Sequence, residues 1–338
     1  MTEMQISKTQ GSEPLLTIED LHTHFMLDEG AAKAVNGLSL EIPKGKTVGL
    51  VGESGCGKTV TAYSIMRLVQ PPGKIVAGKI ILNGKDGKKV LTELSEAQMC
   101  KVRGNEIAMI FQEPMTSLNP VHSIGNQIAE GIILHQKLGR KEAFNRAVEM
   151  LEKVRIPAPA QRAREYPHQL SGGMRQRAMI AMALACEPVL LIADEPTTAL
   201  DVTIQAQVLE LMKELQEQMG MTILMITHDL GVIADMADEV IIMYAGKVVE
   251  RCGTNDIFYD NKHPYTKGLL DSIPKLGKVT DGPLNVIGGA VPHPLLLPKG
   301  CSFGPRCRHR MDICRQMPQL KNLNDNHFVR CWLYDKEN

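Results

Sequence analysis

Eight consecutive residues constrain this chain more than any others: Gly52-Glu53-Ser54-Gly55-Cys56-Gly57-Lys58-Thr59. Before them the apolar run Thr47-Val48-Gly49-Leu50-Val51 reads as a buried strand, and after them Val60 to Val69 reads as a helix. Strand, glycine-rich turn and helix in that order, spelling G-x-x-x-x-G-K-[ST], describe a phosphate cradle. The glycines let successive backbone N–H groups converge on phosphate oxygens without interference from a Cβ. The helix aims the positive end of its dipole at the same charge. In such a cradle Lys58 neutralises β- and γ-phosphates and the Thr59 hydroxyl ligates Mg²⁺.

Two further segments extend this reading. Leu190-Leu191-Ile192-Ala193-Asp194-Glu195 is an apolar strand ending in two carboxylates, 136 residues beyond Lys58. Near a phosphate loop, one such carboxylate holds Mg²⁺ and its neighbour polarises an attacking water as general base. Alone, the pair would be an acidic turn closing a strand. Leu170-Ser171-Gly172-Gly173-Met174-Arg175-Gln176 precedes a helix running to about Cys186. Ser171 suits the N-cap, and Gly172-Gly173 leave N–H groups open to an anion. By itself this would be an ordinary capped helix start.

In combination the three segments resemble an ATP-binding cassette (ABC) ATPase, and other positions match that family one by one. Gln112, at the end of an apolar strand, matches the Q-loop; Ala199-Leu200-Asp201 matches the D-loop; His228 matches the switch histidine that contacts the γ-phosphate. Phe25 falls where the family stacks an aromatic ring on adenine, although Tyr is commoner there. The resemblance covers about residues 15–255. It implies an α/β, RecA-like P-loop core with a helical subdomain, and ATP and Mg²⁺ as ligands. Thr59, Gln112 and Asp194 would hold the Mg²⁺. Glu195, His228 and Gln112 would be catalytic. The implied nucleotide contacts are Phe25, Gly52 through Thr59, Gln112, Ser171, Gly172, Gly173, Gln176, Asp194, Asp201 and His228. It also implies a head-to-tail pair of cassettes, homo- or heterodimeric, each offering its Ser-Gly-Gly segment to the other's nucleotide.

The rest of the chain agrees with an α/β reading. Leu190–Ala193 and Thr222–Thr227 are short runs suited to parallel strands buried on both faces, and Val202–Met219 carries one apolar helical face. Ile124–His135 and Arg140–Arg155 have helical periodicity and define a helical insertion at about 114–175. The expected order is a flexible tail at 1–13, a nucleotide-binding domain at 14–257 and a C-terminal domain at 258–338. Lys plus Arg and Asp plus Glu both total 38, which argues against a general nucleic-acid binder. The start of the chain lacks a secretory pattern, and no apolar run approaches the ~18–20 residues of a membrane span, so a soluble protein is expected.

Within the family, Gln112-Glu113-Pro114-Met115-Thr116-Ser117-Leu118-Asn119-Pro120 is similar to ATPases of dipeptide and oligopeptide importers. So is His263-Pro264-Tyr265-Thr266, followed by Leu269-Leu270 and Pro274. That branch implies a peripheral subunit on the cytoplasmic face of the membrane, two transmembrane permease partners and, indirectly, a substrate-binding protein. Nickel and glutathione importers of the same branch remain alternatives, as do non-transport cassettes and a redox sensor. Cys301, Cys307, Cys314 and Cys331 lie among few apolar residues. Four thiolates can bind Zn²⁺ or an iron–sulfur cluster, or pair as disulfides, and the spacing lacks the C-x2-C of zinc ribbons. The branch resemblance implies a [4Fe–4S] cluster. His309 and His327 nearby read as solvated. Cys56, at the mouth of a cationic turn, is expected to be reactive.

Overall fold

The computed structural model describes residues 13–112, 117–198, 200–272, 287–324 and 326–335. Residues 1–12, Glu113–Thr116, Ala199 and Pro274, on which several sequence expectations fall, lie outside the described residues.

The first described elements form an antiparallel hairpin, β1 (Leu16–Leu27) and β2 (Gly30–Ile42). After β3 (Thr47–Val51), the phosphate loop and α1 (Lys58–Met66), strands β4 (Gly73–Gly84) and β5 (Gly87–Val90) join the hairpin in the order β2-β1-β4-β5. Helix α2 (Glu96–Val102) starts at a reciprocal Ser95–Gln98 capping box and leads to β6 (Ile107–Ile110). The helical insertion holds α3 (Ile124–Gln136), α4 (Arg140–Lys153), the single turn α5 (Pro159–Arg162) and α6 (Gly172–Leu184). Next come β7 (Leu190–Asp194), α7 (Val202–Met219), β8 (Thr222–Ile226), α8 (Leu230–Met236), β9 (Glu239–Tyr244) and β10 (Lys247–Gly253). The C-terminal part contains α9 (Thr254–Tyr259), α10 (Pro264–Asp271), β11 (Lys321–Asn324) and β12 (His327–Val329). Among the described residues no helix is long and apolar enough to cross a membrane.

The large sheet runs β11-β12-β10-β9-β3-β8-β7-β6. Its centre, β9-β3-β8-β7-β6, is parallel, and every residue of β3, β6, β7 and β8 is buried. Such strands serve two cores at once, because successive side chains point to opposite faces. Leu190 and Ile192 pack with β1, β4 and α1, whereas Leu191 and Ala193 pack with the helical insertion and α7. Leu224 and Ile226 against Ile223 and Met225 repeat the division on β8. Uniformly apolar strands are thus what a sheet covered on both faces needs.

The C-terminal segment joins this architecture directly. β12 extends the sheet from β10, with Glu250 paired to Val329 and Arg251 to Phe328. Tyr265 and Phe303 belong to the same buried cluster as Tyr244 of β9. His327, expected at the surface, is only 4% exposed and its Nε2 lies 2.8 Å from Glu250 Oε1. Glu250, fully buried, also accepts from the N–H groups of Lys262 (2.5 Å) and His263 (3.0 Å). A buried carboxylate requires such donors, and only the folded sheet brings them together. His309 is exposed, as expected.

Candidate active site

Parallel strands send their C-terminal ends to one edge, where ligands of open α/β sheets collect. Here that edge receives the phosphate loop from β3, His228 just after β8, Asp194 and Glu195 from β7, and Gln112 just after β6. Register aligns them: Leu50 and Asp194 both pair with Ile226, and Ala193 pairs with Ile110.

The loop is held from both sides. Gly57 caps α1 at φ +103°, and a Cβ there would lie 2.4 Å from the Ala34 carbonyl oxygen on β2. A Cβ on Gly52 would lie 2.3 Å from the Met243 carbonyl oxygen. The Gly246 N–H, in the β9–β10 turn, donates to the Cys56 carbonyl at 2.9 Å, while the Gly246 carbonyl accepts from the Asn36 N–H at 3.1 Å. Lys58, 6% exposed, donates from Nζ to the carbonyls of Gly52 (2.7 Å) and Glu53 (3.1 Å). Ser54 and Gly55 face solvent. Phe25 is half-buried near the end of β1, opposite Ala32, two residues from the Ala34 that abuts Gly57.

Cys56 departs from expectation. It is completely buried, with Sγ 3.8 Å from Lys58 Nζ, and burial raises its thiol pKa despite the lysine's charge. The Cys56 N–H donates to the Glu53 carbonyl at 3.3 Å and the side chain packs into the core beneath the loop, so the thiol is shielded.

Around Asp194 and Glu195 the side chains converge. The Thr59 hydroxyl donates to Asp194 Oδ1 at 3.4 Å. Asp194 is 2% exposed, and burial pushes its carboxyl up to about 6; the Thr59 hydrogen bond opposes that rise, and the charge of Glu195 adds to it. Glu195 has φ +49°, a left-handed conformation costly for a residue with a Cβ and one that recurs at functional sites. Its N–H donates to the Ile226 carbonyl at 2.8 Å, which pins the turn. Its carboxylate accepts from Gln112 Nε2 (3.1 Å) and from the Thr198 hydroxyl (3.0 Å), and lies 3.1 Å from His228 Nδ1. Thr198 escaped the sequence reading because an isolated threonine carries no spacing signal.

The Ser-Gly-Gly segment stands apart from this cluster. Ser171 caps α6 by accepting from the Met174 N–H at 3.3 Å, and Ser171 and Gly172 are exposed. A Cβ on Gly172 would meet nothing within 4 Å, while one on Gly173 would press on Ile204 at 3.0 Å. Gln176, expected as a nucleotide contact, is 2% exposed and donates to the Pro196 carbonyl. Five residues after Ser171, it has rotated away from the face that carries the serine. Asp201 caps α7, accepting from the Ile204 N–H at 3.0 Å, and is exposed.

The model of the ABC transporter family matches residues 35–198, which span the loop, the Ser-Gly-Gly helix and the paired carboxylates. The oligopeptide transport ATP-binding protein AppD of Bacillus subtilis (strain 168) is 54% identical over 325 residues, covering 96% of this chain and 98% of that protein. The chain belongs to the ATP-binding subunits of ABC transporters. It is therefore an ATPase subunit. The cassette also matches the model for the C-terminal region of oligopeptide/dipeptide transporters over residues 249–314. The dipeptide transport ATP-binding protein DppD of the same organism is 49% identical, covering 96% of each chain. Among solved structures, the post-hydrolysis dimer of the cassette MJ0796, bound to ADP and Pi, superposes with a TM-score of 0.63 at 26% identity. It covers 71% of this chain and 98% of that one.

In that segment Cys301, Cys307, Cys314 and Cys331 line one small cavity with Phe303, Met311 and Trp332. No cysteine is in a disulfide. The N–H of His309 donates to Cys307 Sγ (3.3 Å) and that of Met311 to Cys314 Sγ (3.5 Å). Burial raises the thiol pKa of Cys301, Cys307 and Cys331, the last to about 11, and the neighbouring thiols add to the rise. Among the described residues, the one set of three potential ligand atoms within 4.8 Å of each other is Glu250, Cys252 and His327. The four thiols thus ring their cavity more openly than a tetrahedral zinc site, whose sulfurs sit about 3.8 Å apart. The Glu250 set is a closed hydrogen-bonded hub, since that carboxylate already accepts from two backbone N–H groups and pairs with His327.

Proposed function

We propose that this cassette hydrolyses ATP to power import of oligopeptides or dipeptides, at the cytoplasmic face of a membrane. Its partners are a second cassette, two permease subunits and, through them, a substrate-binding protein. The observation that carries the reading is the convergence of Gln112, Glu195 and His228 beside Asp194 and Thr59. The match of the C-terminal region to oligopeptide/dipeptide transporters favours peptide cargo over nickel or glutathione. We assign residues 14–257 to the nucleotide-binding domain and 258–338 to a C-terminal domain attached to its sheet.

The loop N–H groups and Lys58 bind the β- and γ-phosphates, and Phe25 flanks the base. Thr59, Asp194 and Gln112 would hold Mg²⁺, which shields phosphate charge when bound. Glu195 takes a proton from the attacking water, held in place by Gln112, Thr198 and His228. Exposure of Ser171, Gly172 and Asp201 supports their serving the nucleotide of a second cassette. Gln176 acts inside its own subunit, tying α6 to the turn after Glu195. The four C-terminal cysteines would hold a [4Fe–4S] cluster, or alternatively Zn²⁺, and that all four line one cavity supports a shared metal group.

Glu195→Gln tests the central assignment. Binding of ATP is expected to survive while steady-state hydrolysis falls by about 100-fold or more, the usual worth of a general base. Near-normal turnover would remove Glu195 from that role. Uptake of labelled di- and oligopeptides, nickel and glutathione in a deletion strain distinguishes the cargo.

A further inference from the structure

Glu53, the second of the eight residues Gly52–Thr59, brings a carboxylate to a loop built to receive anions. Its charge reaches the interior of the loop, where it opposes ionisation of the Cys56 thiol. Left alone, it would repel a triphosphate. Arg306, 253 residues away in sequence, meets it with two arms: Nη1 donates to Glu53 Oε2 at 2.6 Å and Nη2 to Glu53 Oε1 at 3.0 Å. The Arg306 side chain is 4% exposed and that of Glu53 29%.

Arg306 is itself built in. Nε donates to the Gly288 carbonyl (2.9 Å), Nη2 also to the Ile287 carbonyl (3.2 Å), and Nη1 also to the Tyr244 hydroxyl (3.3 Å). Its guanidinium carbon stands 5.8 Å from the Tyr244 ring centre. A second contact from the same segment fixes the backbone: the Glu53 N–H donates to the Tyr265 hydroxyl at 2.9 Å. Tyr265, Tyr244 and Phe303 stack edge-on or tilted with centroids 4.7–5.4 Å apart, an aromatic floor beneath this junction. Glu53 is therefore held at three points: side chain by Arg306, N–H by Tyr265, carbonyl by Lys58.

We infer that Arg306 is a positioning residue for the nucleotide site, sent from the C-terminal segment to neutralise Glu53 and hold the phosphate loop open to a triphosphate. Arg306 touches no substrate; it acts through Glu53. Its place depends on the short turn Gly304–Arg306, which begins after Cys301 and ends at Cys307, so the cysteine cavity and the ATP site share one structural element. The inference rests on the loop binding ATP, as proposed above.

The test is equilibrium binding of a fluorescent ATP analogue with Mg²⁺ to the full chain, comparing wild type, Arg306→Ala, Glu53→Gln and the double variant. Arg306→Ala is expected to weaken binding about tenfold, since one charge of a partly buried pair is left uncompensated. That loss should shrink as salt rises, because the repulsion is screened. Adding Glu53→Gln to Arg306→Ala should restore most of the affinity, which a general loss of folding would not do. Binding by Arg306→Ala within twofold of wild type, or no recovery in the double variant, overturns the inference. Should Arg306→Ala fail to fold by thermal melting, Arg306→Lys carries the test. It keeps the charge without the two-armed grip and should lose about threefold, and affinity equal to wild type refutes the proposal. A wild-type chain that binds no ATP would instead refute the loop reading beneath it.

Discussion

Asp194→Asn should make the nucleotide-free protein more stable while ending its Mg²⁺-dependent hydrolysis. The carboxyl is buried at the end of β7, and its pKa rises from 3.8 to about 6 in the fold. That rise corresponds to about 3 kcal/mol against the ionised form at neutral pH. Asparagine keeps an oxygen to accept from Thr59 but adds an amide N–H without a partner, which costs about 1 kcal/mol. The net gain expected at pH 8 is about 2 kcal/mol. Its sign follows from linkage. Between about pH 4 and 6 the native carboxyl holds more proton than the unfolded one, so this group's contribution to stability falls as pH rises through that window and stays low above it. The advantage of the variant should therefore be full at pH 8, smaller near pH 5 and absent at about pH 4. Urea unfolding of both proteins at these three pH values, without nucleotide or Mg²⁺, measures it. A variant no more stable than wild type at pH 8, or one whose advantage is independent of pH, would refute the claim that Asp194 is held at an electrostatic cost.

Thiol labelling should follow burial rather than the dipole of the loop. Of the four scattered cysteines, exposed Cys100 is expected to react first and buried Cys56 last, as read by peptide mass mapping against time. Anaerobically purified protein should absorb broadly near 400 nm and carry about four irons per chain. Cys314→Ser should remove both signals, and stoichiometric zinc without iron would refute the cluster.

Local composition dictated the parts of this molecule whose chemistry is local. The loop Gly52–Thr59 could be read from its own spelling, because a strand, glycines at sterically closed positions and a helix start are all encoded within about twenty residues. The buried parallel strands were equally plain, since a sheet covered on both faces leaves no polar alternation. Helix α7, Val202–Met219, emerged with the expected bounds because its apolar stripe and its Asp201 cap agree. Gln112 and His228 were legible through the family resemblance, and the parallel strands β6, β7 and β8 bring them to one edge with Asp194 and Glu195.

Contacts between distant segments required the tertiary structure. Nothing near Cys56 says that its sulfur turns inward, and nothing near Gln176 says that helical rotation points it at Pro196. His327 sits in a polar stretch and reads as solvated until β12 lies beside β10 and brings it to Glu250. Glu53 reads in the sequence as one residue of the phosphate loop, and nothing there links it to Arg306, 253 residues on. They become partners because the segment after β10 folds back over the aromatic floor of Tyr244, Tyr265 and Phe303. The chain alone specified a phosphate loop; its folded C-terminal segment decided that the loop's own carboxylate would be neutralised.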